Sequence, residues 1–312
     1  MYDRYGPPDV LSVEDVPVPS PGPDQVLVKV IATSLNLSDW ECLLGSPMYG
    51  RIGGLRRPAR NVLGSDIAGI VDAVGSEVTR FGPGDEVYGD NLDLKGGFAE
   101  YVVAAESALA HKPEALTFAE ASTLPQAGPI ALQGTAAAAS GQRVLINGAG
   151  GGSGSFAIQL AKQAGGHVTG VDNAGKLEFM RSLGADEVID YQQQDYTRGE
   201  PYDLVLDLVA YRSVFAYRRA VARGGRYYCV GGTSRALLRV ATAGFVVGGL
   251  TGRRLRVLVV KPGPASFEPF AERCISGDVR IHIDRTFSLE EVPQALTHLG
   301  KGRALGKVVV EV

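Results

Sequence analysis

Residues 141–162 constrain the fold more than any other stretch, because an apolar strand, a glycine-rich turn and an amphipathic helix follow one another without a spare residue. Val144, Leu145 and Ile146 form a short apolar run that is typical of a parallel strand covered on both faces. Glycines then allow a sharp turn and close approach of an anion to the helix amides. The stretch therefore predicts a phosphate-binding strand–turn–helix unit. Its turn glycines are Gly148, Gly150, Gly151, Gly152 and Gly154.

The spacing within this unit matches the fingerprint of a dinucleotide-binding fold. Its three special positions are Ala149, Gly151 and Gly154, so alanine replaces the first glycine. A second predicted strand, 167–171, ends in Asp172, 21 residues after Gly151. A ribose-binding acid is expected about 20 residues on. The alternative, a flexible glycine loop without a ligand, lacks this context.

Further strands and helices alternate along the middle of the chain, which predicts a doubly wound parallel sheet of the Rossmann type. The predicted strands are 187–189, 202–206, 226–230 and 255–260, and helices are predicted at 176–183 and 213–221.

Length and charge narrow the class of protein. At 312 residues the chain exceeds one typical domain, and its net charge of −3 with a pI near 5.9 argues against a nucleic-acid or membrane-surface binder. Cys42, Cys229 and Cys274 are too scattered for a disulfide framework, which favours the cytoplasm. The apolar runs fall short of the roughly 20 residues of a membrane helix.

The two ends of the chain predict a second, β-rich domain. Residues 25–32 alternate as a strand, and Pro and Gly cluster at 17–23 and 82–84. The tail from Ile281 predicts a helix and a strand that returns to this domain. We therefore expect domain boundaries at 1–120 with 264–312, and at 121–263.

Several motifs in order along the chain resemble the medium-chain dehydrogenase/reductase superfamily, in its zinc-independent quinone oxidoreductase and enone reductase branch. They are SLNLSDW (34–40), VLGSDIAG (62–69), GPGDEVYG (82–89), GGFAEYV (96–102), the glycine unit and the GRALGKVVV tail. The resemblance implies a GroES-like β-rich catalytic domain beside the Rossmann domain. It also implies hydride transfer from nicotinamide C4 to a quinone or an α,β-unsaturated carbonyl.

The resemblance also implies that no catalytic zinc is bound. The positions that hold zinc ligands in the zinc-dependent relatives carry Asn36, Ser65 and Gln126, and none of these is a thiolate or an imidazole. Without a Lewis acid, hydrogen bonds must polarise the substrate carbonyl, which favours conjugated substrates. Two alternatives stay open: a zinc-free alcohol dehydrogenase or carbonyl reductase, and a non-catalytic cofactor-binding protein.

The catalytic candidates are placed by the resemblance: Asn36, Asp39, Tyr49 and Gln126. Asn36 and Asp39 flank one helical turn, so they could instead be a capping pair. Tyr49 could donate to an oxyanion or lie on the surface.

The cofactor is expected to be NADH or NADPH. Asp172 can accept bonds from ribose hydroxyls and would repel a 2′-phosphate, which favours NADH, whereas Lys176 could accommodate that phosphate. The cofactor-binding candidates are Ala149, Gly151, Gly152, Ser153, Gly154, Asp172, Asn173, Lys176, Tyr191, Val209, Gly231, Gly232 and Leu258.

Two expectations concern partners. The loop 51–60 holds four arginines and no acid, so it is either a solvated loop or a recognition site for a carrier-bound thioester, such as one of coenzyme A or an acyl carrier protein. The family tendency implies a homodimer through the nucleotide domain, with 255–260 as a plausible edge strand.

Overall fold

A computed structural model describes residues 1–52 and 54–312, and it divides the chain into two compact units. The first unit combines Met1–Pro129 with Lys261–Val312, and the second is Ile130–Val260. In the described part of the chain, no helix is both long enough and apolar enough to cross a bilayer.

The described strands follow in chain order. They are β1 (Gln25–Ser34), β2 (Asp66–Val74), β3 (Glu86–Asp90), β4 (Tyr101–Ala105), β5 (Leu109–His111), β6 (Arg143–Asn147), β7 (His167–Asp172), β8 (Glu187–Asp190), β9 (Tyr202–Asp207), β10 (Val221–Cys229), β11 (Arg254–Val257), β12 (Ile283–Ser288) and β13 (Lys307–Glu311).

The described α-helices are numbered in the same way. They are α1 (Leu37–Leu44), α2 (Phe118–Ser122), α3 (Ala127–Thr135), α4 (Gly152–Gln163), α5 (Leu177–Ser182), α6 (Val214–Ala220), α7 (Ser234–Arg239), α8 (Phe245–Leu250), α9 (Pro264–Ile275) and α10 (Val292–Gly300). A π-helical turn, Val240–Gly244, joins α7 to α8.

The first unit is built on a sheet in the order β12-β13-β1-β2-β3-β5, with β4 also paired to β1. Strand β1 pairs antiparallel with β13, β2 and β4, so it lies in the middle of the sheet. Val26, Leu27 and Val28 are consequently all buried, and β1 does not show the alternation of a half-buried strand. The C-terminal strands β12 and β13 complete this sheet, which makes the unit discontinuous in sequence.

The second unit is a parallel sheet in the order β11-β10-β9-β6-β7-β8. The strand order reverses between β6 and β9, because β7 and β8 lie on one side of β6 while β9, β10 and β11 lie on the other. In doubly wound sheets, ligands bind outside the carboxyl ends of the strands at such a switch point. The glycine-rich turn after β6 therefore lies at the binding edge of the sheet.

Candidate functional site

The glycine turn joins β6 to α4 with a geometry that only small residues permit. Gly148 has a φ of +83°, which disfavours any residue with a Cβ. The amides of Gly148 and Ala149 donate to the Val171 carbonyl at 2.9 and 3.1 Å, so the turn is tied to β7. A Cβ on Gly154 would lie 2.2 Å from the Gly148 carbonyl oxygen. Gly154 therefore lets α4 pack directly against the turn.

The start of α4 offers backbone amides to an anion. Gly151 is the N-cap, and no side chain caps the helix. A Cβ added to Gly151 would lie 3.5 Å from the Gly148 carbonyl oxygen, which is an ordinary van der Waals contact, so the protein itself has room for it. Gly152 and Ser153 form the first turn of this helix. Since the first amides of a helix favour phosphate oxygens, this turn fits the pyrophosphate of a dinucleotide.

Asp172 ends β7 beside the glycine turn. Its Oδ2 accepts a hydrogen bond from the Gly150 amide at 3.0 Å, and its Oδ1 accepts one from the Asn173 amide at 2.9 Å. The Lys176 ammonium lies 3.6 Å from Oδ2, and both side chains are mostly buried. The Asn173 side chain accepts from the Gly175 amide, so it caps a short turn. The structure thus brings Asp172, Asn173 and Lys176 to the glycine turn.

Tyr191 lies next to Asp172, because its amide donates to the Asp172 carbonyl at 3.1 Å. Its side chain is exposed, which leaves the phenol accessible beside the turn.

The remaining cofactor candidates lie at the carboxyl ends of β9, β10 and β11. Val209 follows β9, and its side chain would lie 3.5 Å from a Cβ on Gly148. Gly232 forms a bridge with Ala210, whose amide also donates to the Gly231 carbonyl. Leu258 follows β11, and its amide donates to the Cys229 carbonyl. These four candidates therefore share the sheet edge of the glycine turn, and their contact with a cofactor stays a prediction.

A buried acid that no sequence motif indicates lies at the same edge. Asp207 ends β9 and is fully buried. It accepts hydrogen bonds from Asn147 Nδ2 at 2.8 Å, from the Tyr227 hydroxyl at 2.8 Å and, more weakly, from the Tyr196 hydroxyl and the Val209 amide. Burial raises the pKa of Asp207, and these donors oppose that rise. Asp207 braces the ends of β6 and β9 on either side of the switch point.

In the first unit, Asn36 is held by a buried ion pair. Its Nδ2 donates to Asp66 Oδ2 at 2.9 Å, and its Oδ1 accepts from Lys307 Nζ at 2.8 Å. Lys307 Nζ lies 3.5 Å from Asp66 Oδ2, and both side chains are almost completely buried. Burial raises the pKa of Asp66 and lowers that of Lys307, while their mutual attraction opposes both shifts. The pair fixes the orientation of the Asn36 amide.

Asp39 binds the backbone around Asn36. Its Oδ2 accepts from the Asn36 amide at 2.9 Å and its Oδ1 accepts from the Gly64 amide at 3.2 Å. Lys95 Nζ lies 3.8 Å from Oδ1. Asp39 therefore caps α1 and orders the loop before β2, and these contacts support a positioning role.

Gln126 joins the same group through two serines. Its Oε1 accepts from the Ser38 hydroxyl at 3.2 Å, and its Nε2 donates to the Ser65 hydroxyl at 3.5 Å. Since Ser65 directly precedes Asp66, the three positions Asn36, Ser65 and Gln126 belong to one polar cluster. Among residues 1–52 and 54–312, no group of three or more His, Cys, Asp or Glu side chains is arranged to hold a metal.

Two further acids in this unit were not singled out from the sequence. In the antiparallel β2–β3 pair, Asp66 lies directly opposite Asp90. Burial and the nearby Asp66 charge raise the pKa of Asp90 to about 7, and Lys95 opposes this rise. The motifs around 62–69 and 82–89 contain both acids, but only the strand register shows that they face each other.

Tyr49 lies in a short 3-10 turn, Met48–Arg51, and contacts Glu41 of α1. Its hydroxyl donates to Glu41 Oε1 at 2.7 Å. Burial raises the pKa of Glu41 to about 7, although the bond from Tyr49 opposes the rise. Glu41 is thus a second acid that titrates near neutrality and that sequence analysis did not select.

The known proteins that this chain resembles are named as dehydrogenases, reductases or oxidoreductases. Residues 22–114 match the alcohol dehydrogenase GroES-like domain, and residues 183–310 match the zinc-binding dehydrogenase family. The chain is 36% identical to the 2-methylene-furan-3-one reductase of Solanum lycopersicum, over 99% of this chain and 77% of that protein. It is 33% identical to a chloroplastic quinone-oxidoreductase of Triphysaria versicolor, over 100% and 97% of the two chains.

A solved structure shows the same fold along the whole chain. The quinone oxidoreductase from Coxiella burnetii superimposes with a TM-score of 0.88 at 32% identity, covering 100% of this chain and 98% of that one. The predicted fold class, a GroES-like domain with a Rossmann domain, is thereby confirmed.

Proposed function

The chain belongs to the medium-chain dehydrogenase/reductase superfamily, and we propose that it reduces a quinone or an α,β-unsaturated carbonyl with NADH or NADPH. When bound, the reduced nicotinamide supplies the hydride. The names of the two relatives above, a furan-3-one reductase and a quinone-oxidoreductase, indicate substrates of these two classes. Both relatives are similar to this chain along almost its whole length.

The observation that carries this proposal is the chemistry of the cluster around Asn36. Its three positions corresponding to zinc ligands present two amides and one hydroxyl, which are hydrogen-bonding groups and poor ligands for zinc. An amide donor held in a fixed orientation stabilises an oxyanion without a Lewis acid. Asn36 Nδ2 carries a second N–H besides the one directed at Asp66, and this N–H is the donor that we assign to the substrate oxygen.

Removal of this donor tests the assignment. For Asn36→Ala we expect kcat/KM for the best substrate to fall about 100-fold, since the loss of one oxyanion donor costs roughly 10²–10³ in rate. The matched control is Asn61→Ala, because Asn61 is exposed and its carbonyl, not its side chain, accepts a bond from Tyr2. Equal rates for Asn36→Ala and Asn61→Ala would remove Asn36 from the chemistry.

A substrate panel tests the reaction class. Quinones, conjugated enones, enoyl thioesters and simple alcohols are compared by the change in nicotinamide absorbance. We expect turnover of quinones or enones and none of simple alcohols. Oxidation of alcohols would favour the zinc-free alcohol dehydrogenase, and tight cofactor binding without turnover of any compound would favour a non-catalytic binding protein.

NADH is the cofactor that we propose on the evidence of Asp172. Its carboxylate is held at the end of β7 by two backbone amides, where it can accept bonds from ribose hydroxyls. Lys176 reduces its repulsion of a 2′-phosphate, because the ammonium lies 3.6 Å away. For Lys176→Met we therefore expect the preference for NADH over NADPH to rise at least about 3-fold. A wild-type preference for NADPH in binding titrations would contradict the assignment.

A carrier-bound thioester remains a narrower proposal for the loop 51–60, in which Gly53 lies outside the described residues. Arg51 donates to the carbonyls of Gly45 and Leu55, so it has a structural role. Arg56, Arg57 and Arg60 are exposed and could bind a carrier phosphate. The double variant Arg56→Glu with Arg57→Glu should raise KM for an enoyl-coenzyme A and leave KM for a small enone unchanged. An unchanged KM for both compounds would refute this recognition.

A further inference from the structure

Glu41 is an acid of the first unit with no cation beside it. Its side chain is half-buried in the second turn of α1, and the Tyr49 hydroxyl donates to its Oε1 at 2.7 Å. Of the described residues, none brings a lysine, arginine or histidine nitrogen within ion-pair distance of this carboxylate. Burial therefore raises the pKa of Glu41 to about 7, and the side chain gains or loses its proton close to neutral pH.

The Glu41–Tyr49 pair lies on the face of α1 that carries the polar cluster. Asn36 is the N-cap of this helix, and the Ser38 hydroxyl donates to Gln126 Oε1 at 3.2 Å. Glu41 follows Ser38 by three residues, so the two side chains share a face about one turn apart, roughly 5 Å along the helix axis. The phenol that contacts Glu41 is thus on the side of α1 to which the substrate oxygen is assigned.

The hydrogen bond between Tyr49 and Glu41 is not needed to hold the 3-10 turn on α1, because backbone contacts already do so. The Ser46 amide donates to the Glu41 carbonyl at 3.1 Å. Gly50 packs so closely that an added Cβ would lie 2.6 Å from the same carbonyl oxygen. A role in the chemistry accounts for this pair of an acid and a phenol better than a purely structural role.

The protonation state of Glu41 determines in which direction the Tyr49 hydroxyl donates. A phenol has one O–H donor, and its hydrogen turns to suit the surroundings. An ionised Glu41 is an acceptor only, and it holds the phenol proton in a charge-assisted bond. A protonated Glu41 can instead donate its own O–H to the phenol oxygen over the same 2.7 Å, which leaves the phenol proton for another acceptor.

We propose that Tyr49 gives the proton that completes the reduction, and that Glu41 is the positioning residue that turns the Tyr49 hydroxyl toward the substrate. This inference rests on the proposed reduction and adds its proton source.

The proton transfer balances in three steps. The hydride electron pair adds to the conjugated substrate and leaves negative charge on its oxygen. The Tyr49 O–H bond then breaks as the substrate O–H bond forms, which converts an enone to an enol or a quinone to a hydroquinone. The Glu41 O–H bond breaks as the phenol is restored, and the Glu41 carboxylate takes a proton from the solvent.

Other titratable groups near α1 do not account for the proton on Glu41. They are Asp39 and Cys42 on the helix, Tyr2 and Tyr5 from the N-terminal segment, Arg51 from the 3-10 turn, and Lys95. Helix α10, which also packs against α1, carries His298, and this imidazole is paired with Asp284. Burial and the opposing bond from Tyr49 set the pKa of Glu41, so its titration is local to the pair.

The pH profile of kcat/KM tests the proposal, because this parameter reports the ionisations of the free enzyme. For the wild type with its best quinone or enone, loss of the Glu41 proton should lower kcat/KM about 10-fold between pH 6 and pH 8, as one group with a pKa of about 7 requires. For Glu41→Gln we expect a change of less than about 2-fold over this range, since the amide N–H donates to Tyr49 at every pH. At pH 8 this variant should therefore be faster than the wild type.

Tyr49→Phe shows whether Glu41 acts through Tyr49. Without the hydroxyl we expect kcat/KM at pH 6 to fall about 100-fold, which is typical of a lost general acid. Glu41→Gln should have no further effect in this background. Glu114→Gln is the matched control, since Glu114 is an exposed glutamate of the same unit, and its pH profile should follow that of the wild type. Thermal melts at pH 6 check that each variant is folded.

Asp90 requires a separate comparison, because its pKa is also raised to about 7. Asp90→Asn should keep the decline of kcat/KM above pH 7. A decline that is lost in Asp90→Asn and kept in Glu41→Gln would assign the titration to Asp90 and overturn the proposal. Unchanged kcat/KM in Tyr49→Phe would overturn it as well.

Infrared difference spectra of the purified full chain give a readout that needs no turnover. Between pH 6 and pH 8 the wild type should lose a protonated-carboxyl band that Glu41→Gln lacks, and identical spectra of the two proteins would remove the proton from Glu41. Absence of turnover by the wild type would contradict the proposed reduction and this inference with it. Turnover with parallel pH profiles of the wild type and Glu41→Gln would contradict this inference alone.

Discussion

Lys307 and Asp66 illustrate how a single buried contact supports the polar cluster of the first unit. Lys307 Nζ binds the Asn36 amide oxygen and lies near Asp66 Oδ2, in a position from which water is excluded. Burying two ions in such a place costs desolvation free energy. The attraction between the two charges offsets this cost only while both partners are present. The orientation of Asn36 therefore depends on both.

We expect Lys307→Met to lower the free energy of unfolding by about 3–5 kcal/mol, because Asp66 would stay buried without its cation. The double variant Lys307→Met with Asp66→Asn should recover most of this loss, since no uncompensated charge remains. Urea denaturation measures both values. Equal stability of the single and double variants would show that the ion pair is not what the fold requires.

Asp90 gives the stability of the chain a pH dependence of unusual sign. Its pKa is raised to about 7 in the folded state, chiefly by burial and then by Asp66. The folded state therefore holds a proton that the unfolded state releases at lower pH, and this group lowers stability as the pH rises from about 4 to 7. We expect Asp90→Asn to gain roughly 2–4 kcal/mol relative to the wild type at pH 8, and little at pH 4.

Thermal or urea unfolding from pH 4 to pH 8 measures this difference. Asp93→Asn is the matched control, because Asp93 is an exposed acid three residues away. A gain by Asp90→Asn that is the same at both ends of the pH range would contradict the assigned pKa.

At the scale of elements, two glycines of the same turn serve different purposes, one in folding and one in cofactor binding. In Gly154→Ala the new Cβ would meet the Gly148 carbonyl oxygen at 2.2 Å and the Ala149 Cα at 2.6 Å, which are backbone atoms that cannot move aside. In Gly151→Ala the nearest atom is 3.5 Å away, and the φ of −92° suits alanine. The two substitutions therefore act on different properties.

We expect Gly154→Ala to destabilise the second unit by at least about 2 kcal/mol and to weaken cofactor binding with it. For Gly151→Ala we expect near-normal stability and at least about 10-fold weaker binding of NADH, because the Cβ occupies space beside the helix amides. Thermal melts and fluorescence titrations measure the two effects. Gly199→Ala, with no atom within 4 Å of its Cβ, is the control. Normal NADH affinity in Gly151→Ala would place the phosphates elsewhere.

The same elements show what the sequence could predict. The strand–turn–helix unit was predictable because its information is local: β6, the positive φ at Gly148 and the start of α4 all lie within about 20 residues. The doubly wound sheet followed from alternating strands and helices. Strand ends were less certain, since 255–260 was expected and β11 is Arg254–Val257. Propensity does not locate the last paired residue of an edge strand.

The polar cluster could be predicted only in part. The resemblance points to Asn36, Asp39 and Gln126. It does not point to the residues that hold these side chains in place. Lys307 is far from Asp66 in sequence, and Asp90 meets Asp66 only through the β2–β3 register. Asp207 likewise gains Tyr196 and Tyr227 only when β9 and β10 pair. Partners brought together by sheet pairing leave no local pattern in the sequence.

At the scale of the whole molecule, the charged residues are distributed unevenly along the chain. The net charge therefore does not predict how the protein binds to a charged matrix. A pI near 5.9 predicts an anion at pH 7.5, which should flow through a cation exchanger. Residues 208–260 contain only positive ionised side chains, and the exposed ones include Arg219, Arg223, Arg254 and Arg256. At low ionic strength such a patch binds an anionic matrix even when the protein as a whole is negative.

We therefore expect the wild-type chain to be retained on a sulfonate matrix at pH 7.5 and about 20 mM salt, and to elute as the salt rises above about 0.1 M, where the Debye length falls below about 10 Å. Arg254→Glu with Arg256→Glu should pass through unretained, while Arg198→Glu with Arg285→Glu, which changes the net charge equally, should still bind. If both variants elute together, net charge governs retention and the basic surface is too diffuse to act as one patch. If only the first variant loses retention, charge at the β11 edge determines which anionic surfaces the molecule binds, independently of its pI.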